Sequence, residues 1–364
     1  MNIAILGTRG VPPRYGGFET FAAELGRRLA GRDHRVTVYC RKALYEDEPR
    51  FWEGIERVEL PAIAHKYLET VSHALLSALH AARHRFDVVL VCNAANAFVL
   101  PLLNAARIAT AINVDGIERR RKKWNAIGRL TYMIGETMSV EFAGRIIADA
   151  GVIADYYKDT LGVRPQIIAY GADFPEEPDS DVLSRLNLAA RGYVLYVSRF
   201  EPENNPLAVV HAFESVRTML PLVMVGDAPY ASELIRELKA TPDRRVLFPG
   251  ALYGADYRTL QRNALVYIQA TEVGGTHPAL IEAMASGGAV LANASPENRE
   301  VGRSAIRYFD VDSIESLRGA LQTALDDPDQ LEGLRLRAHR RAGDFSWEAV
   351  TDAYERLFRG VAGL

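Results

Sequence analysis

Short apolar runs recur along this 364-residue chain, most of them followed by a stretch that reads as helix, and the alternation stops once and begins again. Residues 2–6, 35–41, 54–61, 87–92, 108–114, 145–149 and 166–169 read as strands. Among the intervening segments, residues 18–30 and 67–84 read as helices. The second gathers Leu68, Val71, Leu75, Leu76 and Leu79 on one side, the side such a helix ordinarily buries. Around residues 171–180 prolines and acids replace the periodicity, which marks a linker. The pattern then restarts with strands at 193–198, 222–225, 246–248, 264–270, 289–292 and 306–309. Helices are expected at 206–218, 231–240, 313–325, 331–342 and 347–358. Strand and helix in repeated alternation imply a mostly parallel sheet covered by helices. Two such runs predict an α/β chain of two Rossmann-like domains joined by a hinge.

Length and composition agree with this reading. The chain is long enough for two full cores, and 48% apolar with 24% charged residues is ordinary for a globular protein. Cys40 and Cys92 sit inside strand-like runs, so buried thiols of a reducing compartment explain them better than a disulfide or a metal site. The apolar start is too short for a signal peptide and no run reaches transmembrane length, so a cytoplasmic protein, at most peripheral to a membrane, is expected. Charge is uneven: residues 1–173 hold 23 Lys+Arg against 19 Asp+Glu, the remainder 20 against 27. That weak basic bias could face phosphates or an anionic bilayer.

One window carries chemistry of its own. After the strand at 264–270 come Gly274 and Gly275, then Thr276 as a candidate N-cap, His277, and Pro278 near the first helical position. Strand, glycine turn and helix N-terminus can form an anion cradle, because backbone N–H groups and the helix dipole converge there. Glu282, one turn into the helix, could accept hydrogen bonds from ribose hydroxyls. An ordinary tight turn with a surface glutamate is the competing reading.

Open α/β sheets bind ligands beyond the carboxyl ends of their strands. The loops expected at a common cleft are residues 7–17, 93–96 and 115–118 from the first domain, and 199–205, 226–230, 250–253 and 274–277 from the second. Arg199 directly follows a strand, where a bidentate pairing with phosphate is available, although a solvated strand-end Arg is common. Residues 7–17 are not the dinucleotide fingerprint: glycines fall at 7, 10, 16 and 17, across a loop holding Pro12 and Pro13. Cys40, Arg41 and Lys42 stand where a nicotinamide enzyme wants a ribose-binding acid, which disfavours NAD. Asp115, on a glycine turn, could hold a hydroxyl or assist proton transfer, or simply form an Asx turn. The basic run from Arg119 to Lys123 could meet a phospholipid headgroup or a lipid-linked pyrophosphate, or be a solvated helix face. No Ser-His-Asp pattern, zinc spacing, Walker loop or nucleic-acid motif is present, so no metal and no nucleic acid are expected.

Taken together, the two-domain plan, the segments 196–205, 225–229 and 248–250, and the window 273–284 resemble the retaining glycosyltransferases of family 4. The loop from Gly7 through Thr20, with residues 113–116, looks like the bacterial rhamnosyltransferase-type branch. The resemblance runs over nearly the whole chain and implies a GT-B fold with domains 1–172 and 173–345. A C-terminal helix, 346–364, would pack back on the first domain. It also implies a nucleoside-diphosphate-sugar donor, with a dTDP, UDP or GDP base, on the second domain. A saccharide or lipid-linked saccharide acceptor would lie on the first, with peripheral contact at the inner membrane and a role in surface polysaccharide synthesis.

By that resemblance the donor would meet Gly16, Gly17, Arg199, Asn204, Asp227, Gly250, Tyr253, Gly274, Gly275, Thr276, His277 and Glu282. The acceptor side would hold Arg9, Arg14, Tyr15, Glu19 and Glu118, and Asp115 with Arg199 would carry the chemistry. Glu282 matches the second of the family's two glutamates, but the first position falls on Gly274. Asn204 stands where a lysine is usual, and Asp115 where many relatives carry histidine. The expected reaction is metal-independent transfer with retention, rhamnose or another hexose being moved. A nucleotide-sugar epimerase of the same fold and a non-catalytic nucleotide-sugar-binding subunit are the alternatives.

Overall fold

The computed structural model describes every residue except 15, 66–67, 118, 120–124, 174–179 and 228–231, together with all other side chains except those of Ile127 and Ser232. The chain divides into two compact units, one running to Tyr170 and including Trp347–Leu364, the other Gly171–Ser346.

In the first unit the order is β1 (Asn2–Leu6), α1 (Gly17–Ala30), β2 (Arg35–Arg41), α2 (Lys42–Tyr45), β3 (Phe51–Trp52), β4 (Ile55–Leu60), α3 (Leu68–Ala81) and β5 (Val88–Cys92). A 3-10 turn at Ala94–Val99 leads into α4 (Leu100–Ala105), then β6 (Ala109–Asn113), α5 (Ala126–Phe142), β7 (Arg145–Ala148), α6 (Gly151–Leu161) and β8 (Gln166–Ile167). The eight strands lie in the order β3-β4-β2-β1-β5-β6-β7-β8, parallel except where β3 pairs antiparallel with β4. Strands buried on both faces read as unbroken apolar runs, which is why β1 and β5 were legible in the sequence.

Helix α3 forms where expected but faces the other way. Its leucine side is exposed, with Leu75 at 43%, while His73, Ala74, Ser77, Ala78 and Ala81 are buried. The reason is close approach: the small side packs beside Ala94, Ala97 and Leu100, where leucines would hold the helix off.

The second unit runs α7 (Val182–Arg185), β9 (Val194–Val197), α8 (Pro206–Glu214), β10 (Leu222–Val225), α9 (Ser232–Lys239), β11 (Val246–Gly250), α10 (Gly254–Asn263) and β12 (Val266–Gln269). Then follow α11 (Pro278–Ala285), β13 (Ala289–Asn293), α12 (Pro296–Gly302), β14 (Arg307–Phe309), α13 (Ile314–Asp326) and α14 (Pro328–Ala342). Its sheet is wholly parallel, in the order β11-β10-β9-β12-β13-β14. Val194, Tyr196, Met224 and Ile268 form one face of its core with Phe213 and Leu321.

The last helix, α15 (Trp347–Ala362), returns to the first unit. Tyr354 packs on Phe21 of α1 with ring centroids 5.2 Å apart, and its hydroxyl accepts a hydrogen bond from Asn113 Nδ2 at 2.9 Å. Arg32 meets Glu348, Asp352 and Glu355 along the exposed border. Tyr170 also joins the Phe21 cluster, 5.5 Å away, so both chain segments that leave this unit are anchored on one aromatic group.

Candidate functional site: two half-sites at sheet switch points

Strand order reverses in each unit at one point, between β9 and β12 in the second and between β1 and β5 in the first. There two successive loops leave the carboxyl edge in opposite directions and open a crevice.

In the second unit the loop after β9 carries Arg199, and the loop after β12 carries Gly274 to His277. These two loops are stitched together: Asn205 Nδ2 donates to the Ala270 carbonyl at 2.9 Å, and the Glu272 N–H donates to the Glu203 carbonyl at 2.9 Å. Asn205 adopts a left-handed backbone, φ 54°, which turns the chain into α8. Asn204 is buried and donates to the Arg199 carbonyl at 2.7 Å, while its own carbonyl accepts from Tyr196 at 2.7 Å. It braces the loop behind Arg199. Arg199 is half-buried, with Glu201 3.5 Å from one guanidinium nitrogen.

The neighbouring turns are laced to the same loop. The Ser198 N–H donates to Val225, Phe200 to Asp227 and Gly226 to Gly250. Gly226 cannot carry a side chain: a Cβ there would stand 1.9 Å from the Ser198 carbonyl oxygen. Asp227 is exposed, and Tyr253 is exposed at the N-cap of α10.

Helix α11 begins at Pro278, in the first-turn position the sequence indicated, but its N-cap is His277 and not Thr276, which is buried one residue earlier. The imidazole of His277 lies over Gly274, whose added Cβ would be 2.5 Å from the ring's Cε1. The position where the resembling family has an acid is therefore filled from the side by this ring. Glu282 is half-buried and accepts a hydrogen bond from the Tyr257 hydroxyl, which itself accepts from Gln261 Nε2 at 2.9 Å. Burial, reinforced by the Glu282 charge, pushes the Tyr257 phenol well above its usual value, so it stays a donor. Sequence reading missed Tyr257 and Gln261; the available signal was their i, i+4 spacing on an amphipathic helix preceding β12.

In the first unit the loop after β1 is held against β5 and β2. Asn96 Nδ2 donates to the carbonyls of Cys92 at 2.7 Å and Gly7 at 3.4 Å. Gly7 has φ 95°, and a Cβ there would sit 2.4 Å from the Cys92 carbonyl oxygen. Glu19, buried in the first turn of α1, accepts the Arg9 N–H at 2.8 Å, and burial raises its carboxyl above the ordinary range. Gly16 is the N-cap of α1 and Gly17 its first residue. Arg14 leans on α2, lying over the Tyr45 ring at 5.0 Å and donating to the Leu44 carbonyl at 2.5 Å, and it pairs with Glu48 just beyond that helix.

Asp115 has a left-handed backbone, φ 59°, and its N–H donates to Asn113 Oδ1 at 3.0 Å, so the Asx turn here is made by the Asn113 side chain and not by that of Asp115. Its carboxylate also faces the Tyr170 hydroxyl at 3.4 Å. Arg119 stacks on Tyr156 and donates to its hydroxyl at 2.7 Å, beside buried Glu136. Tyr15 and Glu118, expected on the acceptor side, lie outside the described residues. Both cysteines are buried and unpaired with one another. Among the described residues no helix is long and apolar enough to cross a membrane.

These two doubly wound sheets define a GT-B protein. The structure superposes on sucrose-phosphate synthase from Thermosynechococcus elongatus with a TM-score of 0.83 at 21% identity, covering 99% of this chain and 98% of that one. It superposes on Anabaena HepE in complex with UDP and glucose with a TM-score of 0.80 at 15% identity, covering 99% and 100%. Residues 186–341 match the family described as glycosyl transferases group 1, and residues 1–173 match a domain of unknown function, DUF1972. The two matches fall on different parts of the chain, and neither reaches half of it.

Among curated proteins it is 24% identical over 186 residues to O-antigen chain mannosyltransferase B of Escherichia coli, a match spanning 48% of this chain and about half, 49%, of that protein. It is 24% identical over 416 aligned positions to D-inositol 3-phosphate glycosyltransferase of Kineococcus radiotolerans, covering 94% of this chain and 90% of that one.

Proposed function

We propose that this chain is a retaining glycosyltransferase that moves a hexose or deoxyhexose from a nucleoside-diphosphate sugar to a hydroxyl of a saccharide or lipid-linked saccharide. The observation that carries the reading is the stitched pair of loops at the β9/β12 switch point, one carrying Arg199 and the other leading into the N-terminus of α11. A guanidinium and a helix N-terminus in one crevice suit a diphosphate, whose negative charge grows as the sugar leaves. Glu282, oriented by Tyr257, would accept the ribose hydroxyls. In the first unit, Asp115 and the loop after β1 would hold the acceptor. Neutralisation by Arg199 and backbone N–H groups makes this a metal-independent transfer. A cytoplasmic site and surface polysaccharide synthesis fit a nucleotide-sugar donor and the O-antigen relative.

The test is a thermal-shift screen with dTDP-, UDP- and GDP-sugars, followed by nucleoside diphosphate release on adding acceptor saccharides. One base should raise the melting temperature, turnover should persist in a chelator, and the product linkage should keep the donor's anomeric configuration. Absence of any nucleotide-dependent shift would overturn the donor site, and an inverted product would overturn retention.

A further inference from the structure

The two faces of β12 differ in a way that its place in the sheet does not require. Val266, Ile268 and Ala270 turn into the apolar core with α8 and α13. The alternate residues Tyr267, Gln269 and Thr271, on the opposite face, are all buried and all polar. An apolar face would avoid the cost of pairing such groups, so the way they are paired shows what the polar choice achieves.

The hydrogen bonds run in one direction along this face, toward the carboxyl edge. The Tyr267 hydroxyl donates to Gln269 Oε1 at 2.8 Å, with the Val197 carbonyl a more distant acceptor at 3.4 Å. Burial, with Tyr196 and the Glu282 charge behind it, pushes this phenol well above its usual value, so the proton stays on it. With its carbonyl turned to Tyr267, the Gln269 amide presents Nε2 to Thr271 and donates to Oγ1 at 3.0 Å. The Thr271 hydroxyl still has a hydrogen of its own to donate, and no acceptor for it lies among the described residues.

Thr271 is also held in place. It lies between the two stitches to the loop after β9, which are made at Ala270 and Glu272. Its carbonyl accepts from the side-chain amides of Asn293 at 3.4 Å and Asn298 at 3.5 Å. The N-terminus of α11, further along the same loop, offers N–H donors, which cannot take a hydroxyl hydrogen. A ligand oxygen at the carboxyl edge would supply the missing acceptor.

We propose that Thr271 is a further ligand-binding residue of the second unit, its hydroxyl donating to an oxygen of the diphosphate-sugar portion of the nucleotide-sugar, and that Gln269, with Tyr267 behind it, is its positioning residue. The assignment rests on the nucleotide-sugar reading of this crevice. It places a neutral polar contact three residues before Gly274, in the loop that lacks the resembling family's acid.

The experiment is calorimetric titration of the full chain with UDP, GDP and dTDP and with UDP-glucose, GDP-mannose and dTDP-rhamnose, each variant being checked by thermal melting. Thr271→Ser keeps the hydroxyl and should bind within about twofold of the parent. Thr271→Val keeps the shape without the hydrogen and should bind about tenfold more weakly, as loss of one hydrogen bond predicts. Gln269→Glu keeps the bond from Tyr267 but offers Thr271 a carboxylate oxygen that captures the hydroxyl hydrogen. It should weaken binding as far although Thr271 is intact, and adding Thr271→Val to it should cost little more. Where a single variant melts low, Thr271→Val with Gln269→Met, which removes both partners of their bond, takes its place. A loss confined to the sugar nucleotides puts the contact on the sugar, and a loss shared by the bare diphosphates puts it on the phosphates. Equal binding by Thr271→Ser and Thr271→Val would overturn the contact and leave the nucleotide-sugar reading standing. Additive losses in the Gln269→Glu, Thr271→Val variant would show the carboxylate acting through its charge alone and would overturn the positioning role of Gln269. If the parent binds none of these compounds, the nucleotide-sugar reading fails and this assignment with it.

Discussion

Gly274 and His277 act as one unit, and substituting the glycine exposes it. The His277 ring occupies the volume a side chain at 274 would need, with only 2.5 Å between an added Cβ and Cε1. Real Cβ contacts lie a full ångström or so further out, so Gly274→Ala must drive a half-buried ring from its rotamer. Overpacking of this kind costs about 1–3 kcal/mol. For a domain of this size that lowers the melting temperature by roughly 2–4 °C per kcal/mol. His277→Gly alone removes the obstacle, so the double variant should recover most of what Gly274→Ala loses, giving a coupling energy of about 1 kcal/mol or more. Thermal melts of the four proteins measure that coupling, and donor KM measured in parallel reports whether the displaced ring disturbs the cradle. Additive effects of the two changes would falsify the claim that the ring fills the position of the missing acid.

Other expectations follow from the same geometry. Arg199→Ala should cut turnover by about a hundredfold or more, as loss of a leaving-group charge partner does, while leaving the melting temperature within about 2 °C; near-normal turnover would remove Arg199 from its role. Tyr257→Phe strips Glu282 of its oriented donor and should raise donor KM by about tenfold to a hundredfold with little change in kcat, at a cost typical of one hydrogen bond to a charged group. An equal fall in kcat at unchanged KM would point to chemistry instead. Gly226→Ala should destabilise strongly, because the clash is with the backbone oxygen of Ser198 and cannot be relieved by a rotamer change; a melt within about 1 °C of the parent would contradict it. Acid should destabilise the first unit through His73, which burial, helped by the Arg41 charge, lowers to about 4 from 6.5. The unfolded chain binds that proton first, so stability is intact above the unfolded value and falls between pH 6.5 and 4, by up to about 3 kcal/mol. His73→Phe should flatten that part of the stability profile, and an unchanged slope would show that the imidazole titrates freely.

The sheets were legible because strands buried on both faces are mostly apolar: β5, β9 and β10 are so throughout, β1 except for Asn2 and β12 except for Gln269. The helices were less so. The α3 leucines announce an amphipathic helix but not which side is inward. That choice was made by a neighbour, the segment from Ala94 onward, which admits only small residues. Helices α2, α4, α6, α7, α10 and α12, which are short or weakly patterned, and α5, which is long, escaped notice, although α6 ends on Gly162 in a left-handed cap visible in the sequence. The candidate site was legible where a residue type has a unique use, as with Arg199 at a strand end and Pro278 at a helix start. It was not legible where partnership decides the role. Nothing in the sequence tells that Asn204 turns inward to the Arg199 carbonyl, or that Tyr257 reaches Glu282.

The departures from the resembling family's pattern acquire a physical sense once these partnerships are known. At position 204 a lysine would bring a cation, but the buried amide instead fixes the backbone that presents Arg199, so positive charge at this loop rests on one side chain. At position 274 an acid would add negative charge near a diphosphate, whereas glycine leaves room for a ring with a polar edge. Relative to that pattern, one substitution removes a positive charge and the other a negative one, so the net charge of the two loops is unchanged. A donor whose sugar offers fewer hydroxyls at that edge suits the altered pocket better than one that depends on a carboxylate there. Donor preference and the Gly274–His277 coupling should therefore change together: variants that move the ring should alter which sugar is used more than which base is bound.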